Sequence, residues 1–388
     1  MSRKLVVCFD GTWNTPDKDG NVHNEIDDET NVIHIFRAIK GKNCGARVER
    51  CTAEAPRVDT LKWYETGVGT NWYDHVSGGA FGFGLSRNIR QGYKFLIDNF
   101  VAGDELYIFG FSRGAYTARS LVGLIRNSGL LDKKKILQSG DPKYPNWKVT
   151  KEAQLAALDA DDMPHVMDAY QLYRNRDGGA DTPFAIAFRN RYAVPDVKVK
   201  FLGVWDTVGA LGIPLKVAQE FNTEQYGFHD MELSGIVENA FHAVAIDEHR
   251  EDYKPTLWDP KQKPQQTVEQ AWFVGAHADV GGGYEGQPLS LITLAWMMEK
   301  AKLGGKGLEF DNAGVPQTGG IDLAGIKPTD SFGRFMLGLY KLFNRPYLRP
   351  VLKTEFGNEK VHESVDKKVE ADPGYNPKNP GLPWLGKI

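Results

Sequence analysis

The sequence predicts an α/β fold: a mostly parallel sheet with helices on both faces and helical insertions between some of its strands. Three observations carry that expectation. Short apolar, β-prone runs alternate along the 388 residues with longer segments of helical period, the pattern of a sheet whose crossovers cover both faces. Apolar residues make up 41% of the chain and charged ones 25%, enough for a sizeable core in an ordinary globular composition. Glycines at Gly110 and Gly114 frame a junction between a strand and a helix, where a tight turn hands one to the other.

Lys4 to Phe9 reads as a buried strand, and Asn31 to Lys40 as a helix with Val32, Ile35, Phe36 and Ile39 on one face. Leu61 to Glu65 is a second strand. The glycine-rich stretch Val76 to Gly84 reads as a loop before a helix over Arg87 to Phe100, and Asp104 to Phe109 as the next strand. Ala115 to Arg126 is helical, with Ala118, Leu121, Val122 and Ile125 as its apolar stripe. Asp132 to Asp162 is polar and contains proline, an excursion from the sheet, followed by a helix over Pro164 to Tyr173. The sheet resumes with a strand over Val197 to Trp205. Ile236 to Ile246 reads as a helix, Ala271 to Gly275 as the last clear strand, and Leu289 to Lys302 as the helix after it. Gly304 to Asp330 reads as loop. The expected organisation is a core over residues 1–302, with an insertion near 132–195, and an extension over 303–388 that packs on the core.

Charge and cysteine content narrow the function. There are 47 Lys and Arg against 50 Asp and Glu, a net charge of −3, so no dedicated nucleic-acid surface is expected, because that mode needs clustered basic residues that release counterions. Small-molecule or lipid partners remain. Cys8, Cys44 and Cys51 lack paired spacing and announce neither a disulfide framework nor a zinc ribbon. The N-terminal apolar run, Leu5 to Phe9, is shorter than the roughly 7–15 residues of a secretory signal. No stretch approaches the roughly 18 consecutive apolar residues of a membrane span. The expectation is a soluble chain, cytoplasmic as synthesised.

Gly110-Phe111-Ser112-Arg113-Gly114 fits G-x-S-x-G between a strand and a helix, the context of a nucleophile elbow. Such a serine needs a base, and the partners follow in the order acid, then histidine, each at a later strand end. Asp206, in Val204-Trp-Asp-Thr-Val208, and His277, in Gly275-Ala-His-Ala-Asp279, stand there in that order. His277 would deprotonate Ser112 and then protonate the leaving alcohol, and Asp206 would orient the imidazole. Asp206 as a helix N-cap is the plainer alternative, with Asp279 as the fallback acid. His242 and His249 read as structural histidines on a helix and at its end, with Asp247, Glu248 and Arg250 as an ion-pair network nearby.

Asp10-Gly11-Thr12-Trp13-Asn14 follows the first strand and emerges on the same sheet edge as the serine loop, where ligands collect in parallel sheets. The amide of Arg113 and that of Gly11 or Thr12 are the candidate oxyanion donors. Asp10, Trp13 and Asp279 are candidate substrate contacts. A nucleotide site fails on detail, since Gly82-Phe-Gly84 is followed at the third position by Arg87 and no Gly-Lys-Ser/Thr loop exists. No metal-ligand spacing is present either, and no cofactor is expected. Ser331 to Arg349 places Phe332, Phe335, Met336, Leu339 and Phe343 at helical spacing among basic residues with no acid. It reads as a helix on the core with solvated basic residues or, for a lipid substrate, as a lid or membrane-docking segment.

Six ordered motifs also form a known set: Phe9-Asp-Gly-Thr-Trp-Asn14, Thr66-Gly-Val-Gly-Thr70, Gly110-Phe-Ser-Arg-Gly-Ala-Tyr-Thr-Ala-Arg119, Gly203-Val-Trp-Asp-Thr-Val-Gly209, His242-Ala-Val-Ala-Ile-Asp247 and Gly275-Ala-His-Ala-Asp-Val-Gly-Gly-Gly-Tyr284. Fainter echoes stand at His362-Glu-Ser-Val365 and Tyr375-Asn-Pro377. Together they resemble the α/β-hydrolase family once called domain of unknown function 2235 (DUF2235), that of the type VI secretion lipase effectors called Tle1. The resemblance implies a serine hydrolase acting on lipid esters, phospholipase A in type, with Ser112, Asp206 and His277 at the triad positions. It further implies a membrane surface, an immunity protein and a secretion-system component as partners, with delivery to a target-cell periplasm. The alternatives are an esterase or lipase on soluble or neutral esters, and a binding protein on a hydrolase scaffold.

Overall fold

The computed structural model describes residues 2–11, 29–44, 59–67, 78–139, 164–175, 179–209, 232–258, 263–284, 286, 288–335, 339–354 and 358–383. The strands, in chain order, are β1 (Lys4–Phe9), β2 (Lys42–Asn43), β3 (Thr60–Glu65), β4 (Glu105–Phe111), β5 (Leu130–Leu131), β6 (Ala193–Val194), β7 (Val199–Trp205), β8 (Asn239–Ala245), β9 (Thr267–Phe273) and β10 (Glu359–Val361). Eight of them form one sheet in the order β10-β9-β8-β7-β4-β1-β3-β2. Every pairing within it is parallel. All its strands therefore point one way, and the loops at their C-terminal ends collect along one edge.

Alternation along β1 shows how the layers form. Leu5, Val7 and Phe9 join one core cluster with Leu85, Ile89, Tyr93 and Leu96 of α2 (Gly78–Asn99) and Ala118, Leu121 and Val122 of α3 (Arg113–Ser128). Val6 and Cys8 point the other way, into a cluster with Val32, Ile35 and Phe36 of α1 (Asn31–Ala38). Successive strand residues face opposite sides, so a strand covered on both faces is apolar throughout. α3 is buried almost all round because α5 (Pro164–Arg174) and α6 (Pro183–Tyr192) cover its outer side. These two helices and α4 (Lys133–Gln138) lie in the excursion between β5 and β6, which pair antiparallel with Leu131 opposite Ala193. The chain thus leaves and re-enters the body at one place.

Four sequence expectations need correction. Ile236 to Ile246 is mainly strand β8, not helix. Its Ala- and Val-rich run is buried on both faces between β7 and β9, where periodicity cannot separate strand from helix. The glycines from Gly78 onward belong to α2 rather than to a loop. Ala271 to Gly275 is not the last strand along the chain, since β10 follows it and pairs with β9. Among the described residues, Ser331 to Arg349 is not one continuous helix: α9 (Ser331–Arg334) and α10 (Tyr340–Phe343) are short, and the chain from 344 to 349 is non-helical. Pro346 lies inside the expected helix, and a proline there removes an amide donor and clashes with the preceding turn. In addition, Cys44 is disulfide-bonded, a crosslink the cysteine spacing did not announce, whereas Cys8 is a buried free thiol.

Helices α7 (His277–Gly281) and α8 (Leu289–Ala301) follow β9. A third apolar cluster joins Val244 and Ile246 at the end of β8, Trp272 of β9, and Val351, Val365 and Leu382 of the extension. Val365 lies on α11 (Glu363–Ala371). The extension is therefore built into the far end of the sheet. Among the described residues no helix is long and apolar enough to cross a membrane.

Candidate active site

β4 and β7 are neighbours, with Gly110 opposite Val204 and Phe111 opposite Trp205. The residues that follow, Ser112 and Asp206, leave the same edge side by side. Ser112 has φ 57° and ψ −122°, a backbone state that L residues rarely hold and that persists only where the surroundings impose it. The two motif glycines show what imposes it. A Cβ on Gly110 would stand 2.5 Å from the carbonyl oxygen of Gly114, and one on Gly114 would stand 2.2 Å from that of Phe9. The turn between strand and helix is so tight, and α3 starts so close to the end of β1, that only glycine fits at both places. The Ser112 amide donates to the Trp205 carbonyl at 3.0 Å, tying the turn to β7.

Asp206 also has a positive φ, 34°. Its amide donates to Ala243 O at 2.7 Å, and its Oδ1 accepts from the Ala245 amide at 3.0 Å. His277 arrives from beyond β9 through a turn at Gly275, φ 117°, and opens α7. Three side chains then meet. The Ser112 hydroxyl donates to His277 Nε2 at 2.8 Å, and His277 Nδ1–H donates to Asp206 Oδ2 at 2.6 Å. All three residues are buried. The ring of Phe111 lies 4.7 Å from the imidazole and that of Tyr253 lies 5.1 Å from it.

The charges suit a resting proton relay. Burial pushes the Asp206 carboxyl up, but the Arg349 charge and the His277 hydrogen bond outweigh it and hold it well below the usual carboxylate range. Burial lowers His277, with Asp206 opposing in part, so the imidazole rests neutral with Nε2 open to accept a proton. A hydroxyl, an imidazole and a carboxylate in this order can carry out nucleophilic acyl transfer.

The remaining sequence candidates fall apart into separate roles. Asp279 makes its hydrogen bonds away from the His277 ring, which meets Asp206 instead. Its Oδ2 accepts the amides of Ala276 at 2.9 Å and Thr329 at 2.8 Å, and its Oδ1 accepts the Thr329 hydroxyl at 2.8 Å. It caps the turn that presents His277. Asp10 is buried, with Oδ1 accepting from the Gly11 amide at 2.6 Å and Oδ2 from Thr30 Oγ1 and the Tyr64 hydroxyl. The Gly11 amide, a candidate oxyanion donor, is thus engaged. Arg113 is the first residue of α3, where its amide precedes the intrahelical ladder. Thr12 and Trp13 lie outside the described residues. Among the described residues, no group of three or more His, Cys, Asp and Glu could hold a metal ion.

His242 is a strand residue, not a helical one. Its Nε2 accepts the Thr207 amide at 3.0 Å, and its Nδ1 meets Gln270 Oε1 at 3.3 Å. It braces the turn that carries Asp206. Glu248 pairs with Arg250 at 2.7 Å, both buried, whereas Asp247 instead accepts the Gly275 amide at 2.7 Å and the Tyr375 hydroxyl at 3.0 Å. Sequence reasoning missed Arg349. It is fully buried and reaches both oxygens of Asp206, Nη1 to Oδ1 at 2.7 Å and Nη2 to Oδ2 at 3.0 Å. The signal was present: Pro346 and Pro350 bracket Arg349 and deny it a place on an exposed helix.

Comparisons with known proteins identify the family of the chain. The uncharacterized protein YEL023C of Saccharomyces cerevisiae (strain ATCC 204508 / S288c) is 24% identical over 275 residues, 66% of this chain and 33% of that protein. An uncharacterized protein from Pseudomonas aeruginosa has a crystal structure with TM-score 0.43 and 17% identity, over 81% of this chain and 48% of that one. The Tle1 effector bound to the VgrG spike of the type 6 secretion system gives TM-score 0.37 and 17% identity, over 74% and 52%. The chain therefore spans a third of the yeast relative and about half of each solved chain. Residues 3–300 match the family model described as T6SS phospholipase effector Tle1-like, catalytic domain, and over that span this chain belongs to the Tle1-like phospholipase effector family.

Proposed function

We propose that this protein is a serine hydrolase that cleaves carboxylic esters of glycerophospholipids through an acyl-enzyme on Ser112. The observation that supports this reading best is the unbroken relay from Ser112 Oγ through His277 to Asp206, at 2.8 and 2.6 Å, in a chain of the phospholipase effector family.

In the first step Ser112 Oγ attacks the ester carbonyl carbon while His277 Nε2 takes the hydroxyl proton. The imidazolium is stabilised by the ionised Asp206. Negative charge collects on the carbonyl oxygen, which the Arg113 amide meets at the N-terminus of the 16-residue α3, where the helix dipole favours an anion. The second donor comes from Gly11 or Thr12; for Gly11 the amide must first leave Asp10 Oδ1. His277 then protonates the leaving lysophospholipid alcohol. Water, deprotonated by His277, releases the fatty acid and restores Ser112. The reaction uses water and no cofactor.

A surface patch fits a lipid substrate. Leu342 is 67% and Phe343 86% exposed, and Lys341 and Arg345 beside them are exposed too. Apolar tips flanked by cations suit insertion at an anionic interface. Delivery by a type VI secretion apparatus, suggested by the family's description as T6SS phospholipase effectors, and a cognate immunity protein complete the reading.

The test uses purified wild type and Ser112→Ala with phospholipid vesicles and, separately, a short-chain soluble ester, with released fatty acid as the readout. Wild type should release fatty acid from vesicles, and Ser112→Ala should fall by roughly 10³-fold or more. Turnover of the soluble ester alone would replace this reading with an esterase, and turnover of neither would favour a binding protein.

A further inference from the structure

We propose that Arg349 is a positioning residue of the catalytic centre, supplied from beyond the family's catalytic domain, which fixes the orientation and balances the charge of the Asp206–His277 pair. The inference rests on the serine-hydrolase reading above. The family match ends at residue 300, yet the carboxylate paired with His277 is held in a two-pronged grip by a side chain 143 residues downstream of it.

The grip is rigid. The Arg349 guanidinium also donates to Ala245 O at 2.8 Å and to Tyr253 O. The backbone around it is pinned on both sides: Tyr347 N donates to His249 O at 2.9 Å, Asn379 Nδ2 to Arg349 O at 3.0 Å, and Val351 N to Pro380 O at 2.8 Å. A planar fork matched to both carboxylate oxygens permits one rotation of the carboxylate. That rotation presents Oδ2 to His277 Nδ1, so the imidazole angle toward Ser112 is set from the extension.

Charge is balanced by the same contact. Among the described residues, the charged and titratable groups around His277 include Asp206 after β7, Glu248, Arg250 and Tyr253 after β8, Asp279 on α7 itself, and Arg349 from the extension. Arg250 neutralises Glu248, and Arg349 likewise neutralises Asp206. Without Arg349, one buried negative charge beside the imidazole loses its counterion, and the proton affinity of the Asp206–His277 pair must rise.

Fluorophosphonate labelling of Ser112 reads the relay without the natural substrate. An Oγ–P bond forms, the P–F bond breaks, fluoride leaves and the hydroxyl proton passes to His277. Labelling rates of the full chain are measured against pH for wild type, Ser112→Ala, Arg349→Lys and Arg349→Met, with thermal unfolding as the check on folding. Arg349→Met should label roughly 100-fold more slowly, and its acid limb should move up by about one pH unit. Arg349→Lys keeps the charge but not the fork, so it should slow roughly tenfold with its acid limb in place. Loss of Arg349 leaves a buried carboxylate without its partner; where Arg349→Met does not fold, Arg349→Lys carries the test. A folded variant with the wild-type rate and limb would overturn the proposal, and so would equal losses in both variants with neither limb moved. Failure of wild type to label above Ser112→Ala would instead sink the serine-hydrolase reading, and the inference with it.

Discussion

At the scale of single residues, His242 has the clearest physical consequence. It is fully buried with both ring nitrogens engaged. Burial lowers its pKa from 6.5 to about 3, with the nearby Arg119 charge acting the same way. The native state therefore refuses a proton that the unfolded chain accepts below pH 6.5, and stability falls as pH drops from about 6.5 towards about 3. At pH 5 this one group should account for a loss of about 2 kcal/mol relative to neutral pH. Urea unfolding of wild type and His242→Gln at pH 7 and pH 5 checks it: the drop between the two pH values should be smaller in the variant by about that amount. An unchanged drop would place the acid sensitivity elsewhere. Because Nε2 of His242 holds the Thr207 amide, protonation would also loosen the turn that carries Asp206, and activity should fail with stability at the acid end.

Among the elements, those around the relay were legible because they obey a local rule. Gly110, Ser112 and Gly114 sit at one strand–helix junction, and Asp206 and His277 follow strongly apolar runs, so a parallel sheet had to bring them to one edge. β8 was not legible in this way. Its Phe241-His-Ala-Val-Ala245 run carries neither strict alternation nor a helical stripe, since both of its faces are covered. Arg349 was only partly legible for another reason: Pro346 and Pro350 spoke against an exposed helix, but its partner Asp206 is set by long-range packing. What the basic apolar stripe becomes is a short helix, α10, with Leu342 and Phe343 in solvent. Those side chains are exposed, so replacing both with glutamate should leave turnover of a soluble ester within about twofold, since exposed substitutions are usually mild. The same change should cut release from anionic vesicles by tenfold or more, at about 1.4 kcal/mol per tenfold of binding. Equal losses on both substrates would remove the case for this patch as a docking surface.

For the whole molecule, the question is whether the family's catalytic span suffices. Four carboxylates ring the His277 turn, and each takes a hydrogen bond from the extension: Asp279 from Thr329, Glu248 from Ser331, Asp206 from Arg349 and Asp247 from Tyr375. The extension also closes the sheet. β10 pairs along β9, and Glu359 Oε2 accepts both the Trp272 indole N–H at 2.6 Å and the Leu352 amide at 2.9 Å. Val351, Val365 and Leu382 are nearly or fully buried against Val244 and Trp272. Burying three such side chains stabilises the fold by roughly 5–9 kcal/mol at about 1.5–3 kcal/mol each. That is comparable to the whole net stability of a typical domain, about 5–15 kcal/mol, before the uncompensated carboxylates are counted. A chain stopped after Lys302 should therefore collect in the insoluble fraction or, where soluble, unfold far below the full chain, even though it contains Ser112, Asp206 and His277. Soluble yield and thermal unfolding of the two forms decide the matter. A truncated chain that melts within a few degrees of the full one would show that the catalytic span folds alone and that the extension serves the site without supporting the fold.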